Sequence, residues 1–177
     1  EHVLLTVKEN YDNAAEREAL KTLLQQPGLQ AVLRAVSEED KTKLLWLVEW
    51  NSYEDHKTFM DSPAYGPFMK TLGGILDDSK GSPVEMAHYE LPTPVSKIIS
   101  SDKRMLERFV FTSDSSSEDL KSACDGMKAA IEDGGSPCIW GTSNEDSKRV
   151  SCLISWASVQ EHLDYKKDDR FQKALPA

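Results

Sequence analysis

The sequence predicts an α+β fold built from two tandem βαββαβ repeats, and three observations predict it. First, Leu47–Leu72 is said twice: Trp50, Ser52 and His56 recur as Trp156, Ser158 and His162, each 106 positions later. After a three-residue gap the match resumes, with Phe68, Lys70 and Leu72 over Phe171, Lys173 and Leu175. Second, the polar turn at Glu38-Glu39-Asp40 returns at the same spacing as Asn144-Glu145-Asp146. Third, apolar periodicity switches between 2 and 3.6 in the same order in both halves. A period of half the chain is too long for a solenoid, so two copies of one small unit are expected.

In the first copy, His2–Lys8 is a short run with apolar residues on both faces, suiting a buried strand. From Asn13, Ala14, Ala15, Ala19, Leu20, Leu23 and Leu24 recur at helical spacing, and Pro27-Gly28 stops the helix. Gln30–Val36 and Lys43–Asn51 read as a hairpin, with Leu44, Trp46, Val48 and Trp50 on one face of the second strand. Ser52 is an N-cap, with Glu54 and Asp55 in the first turn that follows. Ser62-Pro63 interrupts that helix, which is expected to resume over 64–76. Pro83–Leu91 closes the unit as a strand.

The second copy restarts as a strand over Arg104–Ser113. Its helix carries Leu120, Cys124, Met127 and Ile131 on one stripe and ends at Gly134-Gly135. Pro137–Thr142 and Arg149–Ser158 form the second hairpin, and a last helix begins near Ser158. A counterpart to the strand ending the first copy is not legible, being either lost or beyond the sequence. The domain expectation is therefore 1–93 as first repeat, 94–103 as linker and 104–177 as second repeat. Each half has the ferredoxin-like order, with helices on one sheet face only. The uncovered faces are expected to pack on each other as an intramolecular pseudo-dimeric α/β barrel.

Composition narrows the function classes. With 39% hydrophobic and 29% charged residues the chain reads as an ordinary globular protein. A formal net charge of −9 argues against nucleic-acid binding, which needs Lys and Arg on phosphates. No apolar run is long enough for a membrane span. Cys124, Cys138 and Cys152 lack CxxC spacing and suggest a reducing compartment, with the cytoplasm as default. No secretory n-region or h-region opens the chain, and the absent initiator Met leaves room for a removed presequence. His2, His56, His88 and His162 are scattered in the sequence, so no metal site is expected; no phosphate loop or dinucleotide motif occurs, so no cofactor is expected.

Candidate site residues each have a plain structural reading beside the chemical one. His56, repeated as His162 and next to Asp55, suits a general base, or a histidine packing near a helix start. Trp46 and Trp50 suit a platform for a flat aromatic compound, or core. Glu49 breaks an apolar strand where its counterpart is Ser155, suiting a carboxylate of raised pKa or a solvated strand end.

The strand ending in Glu49-Trp50 followed by the helix with Ser62-Pro63-Ala64-Tyr65-Gly66-Pro67-Phe68 resembles the dimeric α/β-barrel superfamily, and the opening Glu1–Glu9 is similar to its stress-responsive branch. That superfamily includes antibiotic-biosynthesis-monooxygenase-like and polyketide-cyclase proteins. The resemblance places His2 at a catalytic first-strand His. Tyr65 stands where the helix motif has a second catalytic His, and Phe59 where the family has a Tyr. It implies a pocket between sheet and helices, with Tyr53, Tyr65, His88 and Glu49 as its polar groups and Trp46, Trp50, Phe59 and Phe68 as its apolar ones. Haem-degrading members of the superfamily carry iron on a helix His, a role it would allow His56.

These readings lead to a cofactor-independent small-molecule enzyme, a cyclase, isomerase or monooxygenase, acting on an apolar, aromatic or polyketide-like compound. His2, His56, Tyr65 and Glu49 are its catalytic candidates, and the protein is expected as monomer or homodimer. A non-catalytic barrel binding a small ligand or a protein partner is the alternative.

Overall fold

The computed structural model describes residues 1–79 and 81–168, so the repeat matches at Phe171, Lys173 and Leu175 lie outside the described residues. The chain divides into two compact units, Glu1–His88 and Tyr89–Ala177.

The first unit runs β1 (His2–Thr6), α1 (Asn13–Leu24), β2 (Leu29–Val36), β3 (Lys43–Trp50), α2 (Tyr53–Met60), α3 (Tyr65–Gly73) and β4 (Val84–Ala87). Its strands form one antiparallel sheet in the order β2-β3-β1-β4, the ferredoxin-like arrangement. Alternation along β1 and β3 sends Val3, Leu5, Leu44, Trp46 and Val48 to one face, where they meet Ala19 and Leu23 of α1, Phe59 of α2, and Phe68 and Leu72 of α3. This is the core of the unit.

The local signals explain the element ends. Asp12 caps α1 by accepting from the Ala14 N–H, and Ser52 caps α2 by accepting from the Asp55 N–H. Gly28 has φ +84°, a left-handed turn that side chains disfavour, and its carbonyl accepts from the Asn51 N–H. The helix after Pro63 stops at Gly73 rather than running to residue 76, because Leu76 turns into a bridge with Val7.

The second unit runs β5 (Met105–Thr112), α4 (Ser117–Asp133), β6 (Cys138–Thr142), β7 (Arg149–Trp156) and α5 (Val159–Tyr165). Its described strands are ordered β5-β7-β6, matching β1-β3-β2 of the first unit. Ser116 and Ser158 cap its helices, accepting from the Asp119 and Glu161 N–H groups. Ile131, Cys138, Cys152, Ile154, Trp156 and Tyr165 form its main core, and all three cysteines are buried free thiols.

The boundary between the units falls earlier than the sequence reading. Pro83–Leu91 is not one strand: β4 ends at Ala87, and from Tyr89 the chain pairs with the second unit, bridging Ser143 and donating the Glu90 N–H to Thr142 O. Gly141 permits that approach, since a Cβ there would meet Glu90 O at 2.0 Å. The stretch read as linker holds a 3₁₀ turn, Val95–Lys97, with Val95 and Ile98 buried.

Candidate functional site

In the first unit a cavity of about 90 Å³ lies between the sheet and the helices. Trp46, Phe59, Phe68 and Tyr65 give it aromatic walls, and Leu23, Leu72, Met69 and Met86 are among its other apolar lining residues. The aromatic rings pack edge to face, Phe59 against Tyr65 and Phe68 at centroid distances of 5.3 Å each. Met86 is 40% exposed, which puts the cavity's solvent side at β4. A cavity of this size holds several waters, so a polycyclic ring enters only if the flexible Met69 and Met86 side chains swing aside.

One edge of the cavity is polar. His56, one turn into α2 and 3% exposed, and Glu1 both line it. His56 Nδ1 lies 2.7 Å from Nε2 of His88 and 3.6 Å from Oε2 of Glu1. The indole N–H of Trp50 donates to the same Glu1 oxygen at 2.7 Å, while its ring stacks on His56 at 5.2 Å. Tyr53, 42% exposed, sets its ring edge-on to His88 at 4.8 Å. Burial, and then the neighbouring His88 ring, pushes His56 down to about 4, so the imidazole is neutral at neutral pH. Burial, and then the Glu1 carboxylate, pushes the Tyr65 phenol up, so it is a proton donor there. These groups offer a neutral nitrogen base, a phenol and a carboxylate beside an apolar pocket.

Of the sequence candidates, His56, Tyr65, Trp46, Phe59 and Phe68 meet at this cavity, and Trp50, His88 and Tyr53 stand behind its polar edge. His2 and Glu49 do not. Strand alternation turns both to the sheet face away from the helices, His2 being buried in register with Leu47, and Glu49 beside Ala31. A first-strand His facing the cavity would have to occupy position 1 or 3, and Glu1 and Val3 are there.

Against this geometry, no protein-family model matches the sequence, and no curated protein matches it. Solved structures do. A provisionally named monooxygenase from Fusobacterium nucleatum has 14% identity and a TM-score of 0.68, over 97% of this chain and 81% of that one. A second provisionally named monooxygenase, from Lactobacillus acidophilus, has 14% identity and a TM-score of 0.64, covering 98% and 83%. An anthrone oxidase-like protein has 13% identity and a TM-score of 0.64, covering 98% and 81%. This chain shares their fold. At such identity the likeness extends to fold alone.

Sequence reasoning missed Glu1. The signal was present: Glu1 lies 106 positions before Glu107, the spacing that relates Trp50 to Trp156 and His56 to His162. The second unit builds the same arrangement from those residues. Trp156 donates its indole N–H to Glu107 at 2.9 Å, His162 Nε2 lies 3.1 Å from Glu107, and the Trp156 and His162 rings are 5.4 Å apart. There Tyr165 occupies the Phe59 position, packs with its ring tilted against Trp156 at 5.3 Å and donates to Ala130 O at 2.8 Å.

Proposed function

We propose that the protein is a small-molecule enzyme whose first unit takes an apolar, aromatic or polyketide-like compound and removes a proton from it, with no organic cofactor. The observation that carries this reading is the buried His56–His88 contact at the one polar edge of an aromatic cavity. Cyclisation, isomerisation and cofactor-free oxygenation of such compounds share a first step, loss of a proton from a carbon beside a carbonyl. That step needs a neutral base held against a flat apolar ring.

The geometry supports assigning the base to His56. The Glu1 carboxylate, 3.6 Å from Nδ1, favours a proton on that nitrogen. His56 Nδ1–H then donates to His88 Nε2, and His56 Nε2 keeps its lone pair. When Nε2 accepts the substrate proton, Glu1 stabilises the imidazolium through Nδ1, and Tyr65 can donate to the developing oxyanion. The name of the anthrone oxidase-like neighbour suggests the first probe, an anthrone, a planar ring system whose methylene beside the aromatic rings is acidic.

Deuterium uptake from D2O into anthrone, followed by mass spectrometry, reads the step directly. The protein is expected to accelerate exchange, and His56→Ala to reduce the acceleration by about 100-fold or more, the usual contribution of a positioned base. No acceleration, with anthrone or with a diketide-to-tetraketide panel, would favour the ligand-binding reading, as would acceleration untouched by His56→Ala.

A further inference from the structure

The polar edge has a second property. Among the described residues, Glu1, His56 and His88 are a group of three metal-capable side chains whose donor atoms all lie within 4.8 Å of one another. We propose that these three residues form a binding site for a divalent first-row transition ion, with its open coordination position facing the aromatic cavity. This deepens the reading above, on which the reactive role of the edge rests, and its test is chosen so that the two fail separately.

The donors are of the right kind. Two imidazoles and one carboxylate suit zinc, iron, cobalt or nickel, and three protein ligands plus one open position is the pattern of reactive rather than structural sites. Little movement is required. Two nitrogens on one ion at ~2.0–2.1 Å in tetrahedral geometry stand roughly 3.3 Å apart. His56 Nδ1 and His88 Nε2, now 2.7 Å apart, would separate slightly, and Glu1 Oε2, 3.6 Å from Nδ1, would move slightly inward.

The surroundings already orient the ligands as outer-sphere groups do. Trp50 donates to Glu1 and stacks on His56, and the Tyr53 ring braces His88. His56 and Glu1 line the cavity, so an ion held between them meets whatever the cavity contains. Linear spacing hid the site, because its donors come from the residue before β1, from α2 and from the residue after β4.

Binding has a defined proton balance. The proton between His56 Nδ1 and His88 Nε2 must move to Nε2 of the same His56 ring, a change of tautomer with no net release, so both facing nitrogens turn lone pairs to the ion. His56 then carries its single proton on Nε2, the atom proposed to accept from substrate. Ion binding and proton abstraction therefore exclude each other at His56.

The second unit supplies an internal control. His162 and Glu107 repeat two of the donors, and no third joins them among the described residues.

The test is equilibrium dialysis and titration calorimetry of the full chain, stripped with chelator, against Zn2+ and Co2+. One ion per chain is expected, with no net proton released from the three ligands, so that the binding enthalpy is the same in buffers of different ionisation enthalpy. His56→Ala and His88→Ala should each weaken binding about 100-fold or more, Trp50→Phe about 10-fold, and His162→Ala not at all. Should the alanine variants not fold, the Co2+ adduct of the unmodified chain still decides, since its NMR spectrum must show two paramagnetically shifted imidazole N–H signals. Absence of stoichiometric binding, binding unchanged in both His variants, or a Co2+ adduct without imidazole signals would overturn the site. Zn2+ should also suppress anthrone exchange. Failure of binding leaves exchange intact, and failure of exchange leaves binding intact.

Discussion

At the scale of single residues, the buried ionic groups of the first unit divide into a network that holds structure and a cluster that faces the cavity. Glu16 is the centre of the first. It is 4% exposed in α1, accepts from Arg34 Nε at 2.5 Å and Nη2 at 3.2 Å and from the Tyr11 hydroxyl at 2.7 Å, and the Trp46 indole lies 3.4 Å away. A carboxylate so well satisfied ties α1 to β2 and β3 and leaves little capacity for a ligand. Burial alone would push Glu16 up, but the Arg34 and Tyr11 hydrogen bonds more than offset it and hold the carboxyl below the usual range. Its folded pKa being the lower one, the stability it contributes is present above the unfolded value near 4.5 and is lost as pH falls through the folded one. Glu16→Gln is expected to cost about 2 kcal/mol at pH 7, less than for a fully buried pair because Arg34 reaches solvent. The same substitution should flatten the fall in stability as pH drops below about 5. Urea unfolding of both proteins across that range checks it, and an equal fall in both would exclude Glu16 as a source of acid sensitivity.

At the scale of elements, the caps and turns that aim the site were legible, and the sharpest test concerns how α2 is set on β3. Ser52 caps the helix that carries His56, and Gly28 lies against its first turn, where an added Cβ would come within 2.4 Å of Asp55 Cγ. Ser52→Ala should cost about 1 kcal/mol, the usual loss of an N-cap. Gly28→Ala should cost more, about 3 kcal/mol, because a left-handed backbone and an overpacked contact add. Thermal unfolding of the two variants ranks them, and a Gly28→Ala protein as stable as Ser52→Ala would show that α2 shifts freely. Strand alternation also gave the cavity wall, since Trp46 and Val48 share the helix-side face of β3. It could not give the facing of His2 without fixing which residue of β1 starts the inward set. The opening run is apolar on both faces, so periodicity was silent there, and the resemblance named His2 without naming the face it takes. Glu1 stayed unread for a different reason: it sits just outside β1, where no periodic pattern names a face. His88, named as a polar candidate, sits just past β4, where no sequence pattern signals its contact with His56.

At the scale of the whole molecule, one duplicated pattern has two outcomes. Each unit keeps a Trp–His–Glu arrangement 106 positions apart, yet among the described residues a third donor joins only the first, whose arrangement edges the cavity. In the second, Trp156, Tyr165, Ile131 and Ile154 form a core around buried thiols, and the Cys152 thiol is held protonated, first by its contact with Cys138 at 3.5 Å and then by burial. The retained residues therefore hold β7 against α5 in one unit and frame a cavity in the other. Tryptophan fluorescence separates these roles, because Trp46 and Trp50 lie in the first unit and Trp140 and Trp156 in the second. Quenching by bound Co2+ falls steeply with distance, and Trp50 stacks on His56 while its indole N–H holds Glu1. Stoichiometric Co2+ should then quench the unmodified chain and Trp156→Phe by the same absolute amount, whereas Trp50→Phe should lose most of that quenching. Trp156→Phe should instead lower stability by about 1–3 kcal/mol, since Glu107 loses a donor. Quenching that follows Trp156 rather than Trp50 would move the reactive centre to the second unit, and quenching that follows neither would remove it from both polar edges.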